Sequence, residues 1–120
     1  MAVTRDRRQA ERQGRRAETI AAWWLRLHFW RIVDRRVRTA VGEVDLVAKR
    51  GNIVAFVEVK RRASGKALDI AIDRQRLRRV AAAAVLLAPR YAPARGDIRI
   101  DVILIAPGRL PRHIINAWHG

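Results

Sequence analysis

Residues 41–62 read VGEVDLVAKRGNIVAFVEVKRR, and the fold of the chain turns on them. Two runs rich in β-branched residues flank Gly51-Asn52, a pair that suits a two-residue type II′ hairpin loop. A loop of that length sets Arg50 opposite Ile53. Counting outward, Asp45 falls opposite Glu58, and Glu43 opposite Lys60. Directly opposed side chains share a face, and so do residues two apart on one strand. Asp45, Glu58, Glu43 and Lys60 are therefore expected on one face of the hairpin, with Val44, Leu46 and Ala48 on the other.

Two carboxylates facing each other lie about 5 Å apart at Cβ and repel. The run IVAFVEV is apolar on both faces, the mark of a strand buried inside a sheet. Buried like charges are costly unless a cation compensates them. A Mg²⁺ ion accepts one or two carboxylates and keeps waters for a substrate phosphate. Lys60, two residues beyond Glu58, can touch the same phosphate or a metal-bound water. That combination suits a metal-dependent phosphodiesterase. The competing reading is a structural cross-strand network in which Lys60 neutralises Glu43 and nearby arginines serve the other acids.

At 120 residues the chain is expected to form a single domain, 1–120, with residues 1–7 flexible. Cysteine is absent, which excludes disulfides and thiolate metal sites. No run approaches the ~18 apolar residues of a membrane span. The basic N-terminus leads into no apolar segment of the signal-peptide kind. A cytoplasmic location with no membrane partner is the expectation. The net charge of +15, from 26 basic against 11 acidic residues, points to a polyanion, above all nucleic acid. Lys49, Lys60 and Lys66 are the only lysines among so many arginines. A lysine at position 60 suggests a site that wants a compact ammonium and not a planar fork.

Helical periodicity runs over 8–28, with Ala10, Gly14, Ala17, Ala21, Trp24, Leu25 and His28 on one stripe. Glu18 sits at its edge, placed either to reach the sheet or to pair with Arg15. Trp23, Trp24 and Trp30 can stack on bases or pack the core. Strands are expected at 29–38, 42–49, 53–61 and 97–106. A second helix over 69–87 has Leu77, Val80, Ala81, Ala84 and Ala88 as its stripe. That places Arg74 towards the sheet and Arg76, Arg78 and Arg79 elsewhere, with Pro89 and Pro93 ending the helix. The loop 62–66 follows the carboxylate strand directly. With Arg61, its Arg62 and Lys66 are suited to phosphate contact. Residues 110–118 form a short last element. His28, His113 and His119 lack metal-ligand spacing and read as packing or surface residues. No phosphate-binding glycine loop and no Ser–His–acid arrangement is present.

The order αβββαβ with Asp45-x12-Glu58-x-Lys60 resembles the PD-(D/E)xK nuclease superfamily, which includes restriction endonucleases and archaeal Holliday-junction resolvases. More closely, the chain resembles the YraN-like uncharacterised bacterial family. The matching pieces are Gly14, Glu18 and Ala21, GEVDLVA at 42–48, FVEVK at 56–60, Arg74-Gln75, IDV at 100–102 and HIINAW at 113–118. The resemblance implies a restriction-endonuclease-like α/β/α sandwich with a mixed central sheet. It also implies a Mg²⁺- or Mn²⁺-dependent endonuclease hydrolysing phosphodiester bonds in DNA, in branched or repair intermediates. Carried over, Glu18, Asp45, Glu58 and Lys60 are the catalytic positions. Asp45, Glu58 and the Val59 backbone carbonyl would hold the metal, with Glu18 completing the shell. Arg61, Arg62, Lys66 and Arg74 would hold phosphates. Two positions depart from the pattern: Val44 stands where the superfamily motif has Pro, and Arg74 where the family usually has Lys. The alternative is a non-catalytic nucleic-acid-binding protein that retains the fold. Resolvase-like enzymes act as dimers, so a homodimer is a further expectation, although the sequence shows no interface.

Overall fold

A computed structural model describes residues 2–62, 74–92 and 96–118, with side chains from residue 7 onward. The elements are α1 (Ala2–Leu27), β1 (Arg31–Arg38), β2 (Glu43–Arg50), β3 (Ile53–Arg61), α2 (Arg74–Tyr91), β4 (Asp97–Ile105) and β5 (Arg112–Ile114). The αβββαβ order is as expected, and the short last element is a strand. Helix α1 starts at Ala2, where the periodicity suggested about Arg8.

The five strands lie in the order β1-β2-β3-β4-β5. The first three form an antiparallel meander, β4 runs parallel to β3, and β5 returns antiparallel to β4. Parallel neighbours need a long crossover, and α2 lies in it. The helices cover opposite faces of the sheet. Ala17, Ala21, Ala22 and Leu25 of α1 pack on Leu46, Ala48, Ala55, Val57 and Ile103. Leu77, Val80, Ala83, Ala84 and Leu87 of α2 pack on Val47, Val54, Phe56 and Val102. This is why β3 and the second half of β4 are apolar at successive positions: both of their faces are buried.

Pro89 does not end α2, against expectation, and the helix continues to Tyr91. Proline inside a helix costs about 3 kcal/mol, because one hydrogen bond is lost and the ring crowds the preceding turn. The bereaved carbonyl belongs to Val85, an exposed residue on the solvent side. Tertiary contacts hold the last turn. Tyr91 is buried edge-on to Phe56, and its hydroxyl donates to Asp34 Oδ2 at 2.5 Å. Pro93 lies outside the described residues. Among those described, no helix is long and apolar enough to cross a membrane.

Candidate functional site

The β2–β3 ladder follows the expected register from Arg50–Ile53 to Leu46–Val57, and there it stops. Asp45 and Glu58 are not ladder partners, nor are Glu43 and Lys60. Strand β2 instead stays with β1 through Val37–Val44 and Arg38–Glu43. Strand β3 continues beside β4 to Arg61–Ile105. The two strands part, and side-chain alternation breaks in the same place. Leu46 and Ala48 pack under α1, but Val44 joins Val47 in the core under α2. The shared face expected for Val44, Leu46 and Ala48 does not persist. Level with Asp45 on β1, Arg36 adopts the left-handed region at φ 50°, a costly conformation for a residue with a side chain.

Asp45 fills the gap that the parting strands leave. Its Oδ2 accepts the Val59 N–H at 2.8 Å, in place of the backbone acceptor β2 no longer offers. The N–H and C=O of a strand residue point towards the same neighbour, so the Val59 carbonyl also faces the opened side. The cleft there measures about 480 Å³. Glu43, Asp45 and Glu58 line it from the sheet, and Gln75, Arg76 and Arg79 from α2. Gly42 sits tight against the helix: a Cβ on it would lie 2.8 Å from the Arg79 carbonyl oxygen. Glu58 is 2% exposed and receives Nε of Arg76 at 2.5 Å. Burial pushes the Asp45 carboxyl up to about 7, the negative charge of Glu58 adds to the shift, Glu18 adds less, and the Val59 hydrogen bond opposes it. The metal-free cleft therefore resists a full charge on Asp45 beside Glu58.

Glu18 faces a second groove of about 290 Å³ with Glu11, Arg15, Arg36, Arg38 and Glu43. Its partner is Arg36, whose Nε donates at 2.7 Å, and not the helical neighbour Arg15. Glu43, the first residue of β2, lines both grooves and stands between them. Lys60 leaves β3 on the same face as Glu58 and is half-buried, but it does not line the cleft. Arg61 is exposed, and half-buried Arg62 donates to the Arg61 carbonyl at 3.3 Å. Lys66 lies outside the described residues. Arg74 does not turn to the sheet; its guanidinium sits over the Trp118 ring at 5.6 Å. Arg76 and Arg79 take the place expected for it. The buried stripe of α2 is Leu77, Val80, Ala83, Ala84 and Leu87, rotated from the expected one. Carried back one turn from Val80, it reaches Arg76. Among the described residues, no three acidic or histidine side chains converge on one point. The centre is a carboxylate pair with arginines on the neighbouring glutamates.

A second polar centre escaped the sequence reading. Asp101 is fully buried and accepts Arg99 Nε and Nη2 at 2.9 and 2.8 Å. His113 Nε2 lies 2.8 Å from Asp101 Oδ2, and the Asn116 N–H donates to Oδ1 at 2.9 Å. His113 is thus a buried-carboxylate partner and not mere packing. Burial opposes the charge on Asp101, but the bonds from His113, Arg99 and Asn116 outweigh it and hold the carboxyl below its usual range. The cluster clamps the C-terminal segment, which the Ala117 N–H also ties to the Ile100 carbonyl at 2.7 Å. The available signal was a lone Asp within IRIDVILI, a run otherwise fit for burial.

The carboxylates of the cleft fall within the part of the chain that known proteins share. Residues 17–105 match the family described as Uncharacterised protein family UPF0102. The UPF0102 protein of Sphingopyxis alaskensis is 65% identical over 112 residues, covering 93% of this chain and 97% of that one. That of Rhizorhabdus wittichii is 60% identical over 114 residues, 95% of this chain and 97% of that one. A more distant relative in Maricaulis maris, UPF0102 protein Mmar10_3014, is 48% identical over 117 residues, 97% of this chain and 92% of its own. The chain belongs to the UPF0102 family, the YraN-like group that its motifs resemble.

Proposed function

We propose that this protein is a metal-dependent endonuclease of the PD-(D/E)xK superfamily, with the restriction-endonuclease-like sandwich, acting on DNA in the cytoplasm. One observation carries the reading: Asp45 and Glu58, from strands that have just parted, share one cleft, where burial and mutual repulsion oppose both being charged. An enzyme that needed these groups only for folding would gain by replacing one of them. The donor set fits a hard divalent ion, Mg²⁺ or Mn²⁺. Asp45 and Glu58 offer carboxylate oxygens, and the Val59 carbonyl faces the same opening. Bound there, the ion would supply charge neutralisation for a phosphodiester and a water of lowered pKa. Glu18 would bias the shell through its charge from the adjoining groove. Lys60, on the Glu58 face of β3, would orient the attacking water or counter the charge that develops on phosphorus. Arg61 and Arg62 at the end of β3, with Lys66 beyond and Arg74 on α2, would steady the phosphates, and the arrangement adds Arg79. A homodimer would place two such clefts on two strands.

The Arg76–Glu58 pair favours a second reading, a non-catalytic DNA-binding protein in which arginine has taken the place of the metal. Incubation of wild type and Asp45→Ala with linear, nicked, flapped and four-way DNA in Mg²⁺ or Mn²⁺ separates the two. Cleavage by wild type alone supports the enzyme. DNA binding that weakens with salt, with no cleavage and no metal uptake by either protein, supports the second reading.

A further inference from the structure

The outward face of α1 carries a row that the core does not use. Ile20, Trp23 and Leu27 recur at helical spacing and are 46%, 58% and 71% exposed, and Phe29 continues the row at 87%. Phe29 lies two residues past Leu27, the last helical residue, and sits at φ 70°. Glycine is the usual occupant of that left-handed position, because a side chain there is strained. The turn that closes α1, with the Phe29 N–H on the Arg26 carbonyl and the Trp30 N–H on the Leu25 carbonyl, leaves the aromatic ring in water. Arginines border the row: Arg12 and Arg16 on the preceding turns, Arg26 with its guanidinium 5.1 Å from the Trp23 ring centroid, and Arg31 just past Phe29.

We infer that this row is a stacking platform for the unpaired bases of a single-stranded or branched DNA. The inference rests on the nucleic-acid part of the proposed function and adds to it a substrate class. A second copy of this chain fits poorly, since the row would bring arginine borders together between molecules of charge +15. A polyanion complements those borders. Trp23 and Phe29 offer π-faces to bases, Ile20 and Leu27 extend the apolar bed, and Arg26 on Trp23 adds a cation layer to the stack. The platform lies at the Gly51 end of the sheet, since Arg50 Nη1 donates to the His28 carbonyl at 3.1 Å. The cleft opens at the other end. It also lies on the α2 face of the sheet, so the platform on α1 binds independently of the carboxylates.

The test uses the full chain in chelator, which separates it from catalysis. Fluorescence anisotropy compares a labelled oligodeoxythymidine with an abasic strand of equal length and charge. Wild type should bind the base-bearing strand at least tenfold more tightly. Trp23→Ala with Phe29→Gly should remove that preference and leave abasic binding unchanged, whereas Asp45→Asn should keep it. Phe29→Gly alone should melt at or above wild type, because glycine relieves the strained φ, so a loss of binding is not a loss of fold. Equal affinity for the two strands, or no change in the double variant, overturns the inference. So does row-dependent binding to vesicles of anionic phospholipid without base preference, or a dimer in sedimentation that the double variant dissociates. Base-dependent binding without nuclease activity would leave the platform standing and the enzyme reading refuted.

Discussion

Replacing Asp45 by asparagine should stabilise the metal-free protein. The Asp45 carboxyl is raised from 3.8 to about 7 in the fold. A raised carboxyl contributes stability that is fully present below the unfolded value and is lost as pH climbs through the folded one. At 1.36 kcal/mol per unit, the complete loss amounts to about 4 kcal/mol above neutral pH. Asparagine cannot ionise. It keeps an oxygen for the Val59 N–H and presents an N–H₂ donor to Glu58. Its own burial takes back part of the gain, which leaves about 2 kcal/mol at pH 8, or about 8 °C in Tm for a chain of this size. At pH 5, where wild-type Asp45 is protonated in the fold, the gap should narrow. Mg²⁺ or Mn²⁺ should stabilise the wild type progressively, by about 2.7 kcal/mol at a hundredfold excess over the dissociation constant, and should leave the variant unmoved. Thermal unfolding at both pH values, with chelator and with metal, reads all of this. If Asp45→Asn melts lower in chelator at pH 8 and metal does nothing for wild type, the carboxylates are a structural network and the catalytic assignment fails.

Arg76→Ala should destabilise the metal-free protein by about 1–2 kcal/mol in denaturant titration, less than a fully buried pair would lose because Arg76 is half in water. Divalent metal should restore part of that loss if it takes over Glu58. Asp101→Asn should cost about 3 kcal/mol, since the buried charge facing Arg99 and His113 is lost and one of its two accepting oxygens becomes an N–H₂ donor. Gly42→Ala should cost about 1–3 kcal/mol by chemical denaturation, because the new methyl meets the Arg79 carbonyl, and it should push α2 away from the cleft and weaken metal binding.

Much of this arrangement was legible because local rules fix it. A two-residue loop at Gly51-Asn52 dictates the pairing nearest the turn, and apolar runs on both faces mark β3 as central. What the sequence hid depends on distant partners. Pro89 carries a strong local stop signal, yet the contacts of Tyr91 with Phe56 and Asp34 override it. Arg74 and Arg76 differ only by the rotation of α2 about its axis. Alanine is apolar enough to face either way, so a stripe with Ala81, Ala83, Ala84 and Ala88 among its members defines that rotation poorly. Asp101 gained its meaning from Arg99, His113 and Asn116, which only the β4–β5 return brings together.

The limit of the hairpin register has a deeper cause, and it bears on where a site can form. Turn geometry propagates along a ladder only while both strands keep each other as neighbours. Beyond Leu46–Val57 the two separate, while β2 keeps β1 and β3 keeps β4 on their other edges. Inside a ladder every backbone N–H and C=O is already engaged, and alternation sends acidic side chains to a fixed face. Where the ladder ends, the Val59 amide and carbonyl have lost their backbone partner, and a side chain must serve. Asp45 does so with one oxygen, which fixes its carboxylate beside Glu58 and holds it there in spite of the repulsion. Continuous pairing would have satisfied the Val59 amide with the Val44 carbonyl and left Asp45 to choose its own rotamer. The parting of the strands therefore opens the space beside Asp45 and anchors its carboxylate next to Glu58. Arg36, in the left-handed region on β1 level with Asp45, brings its guanidinium to Glu18 at the same end of the sheet.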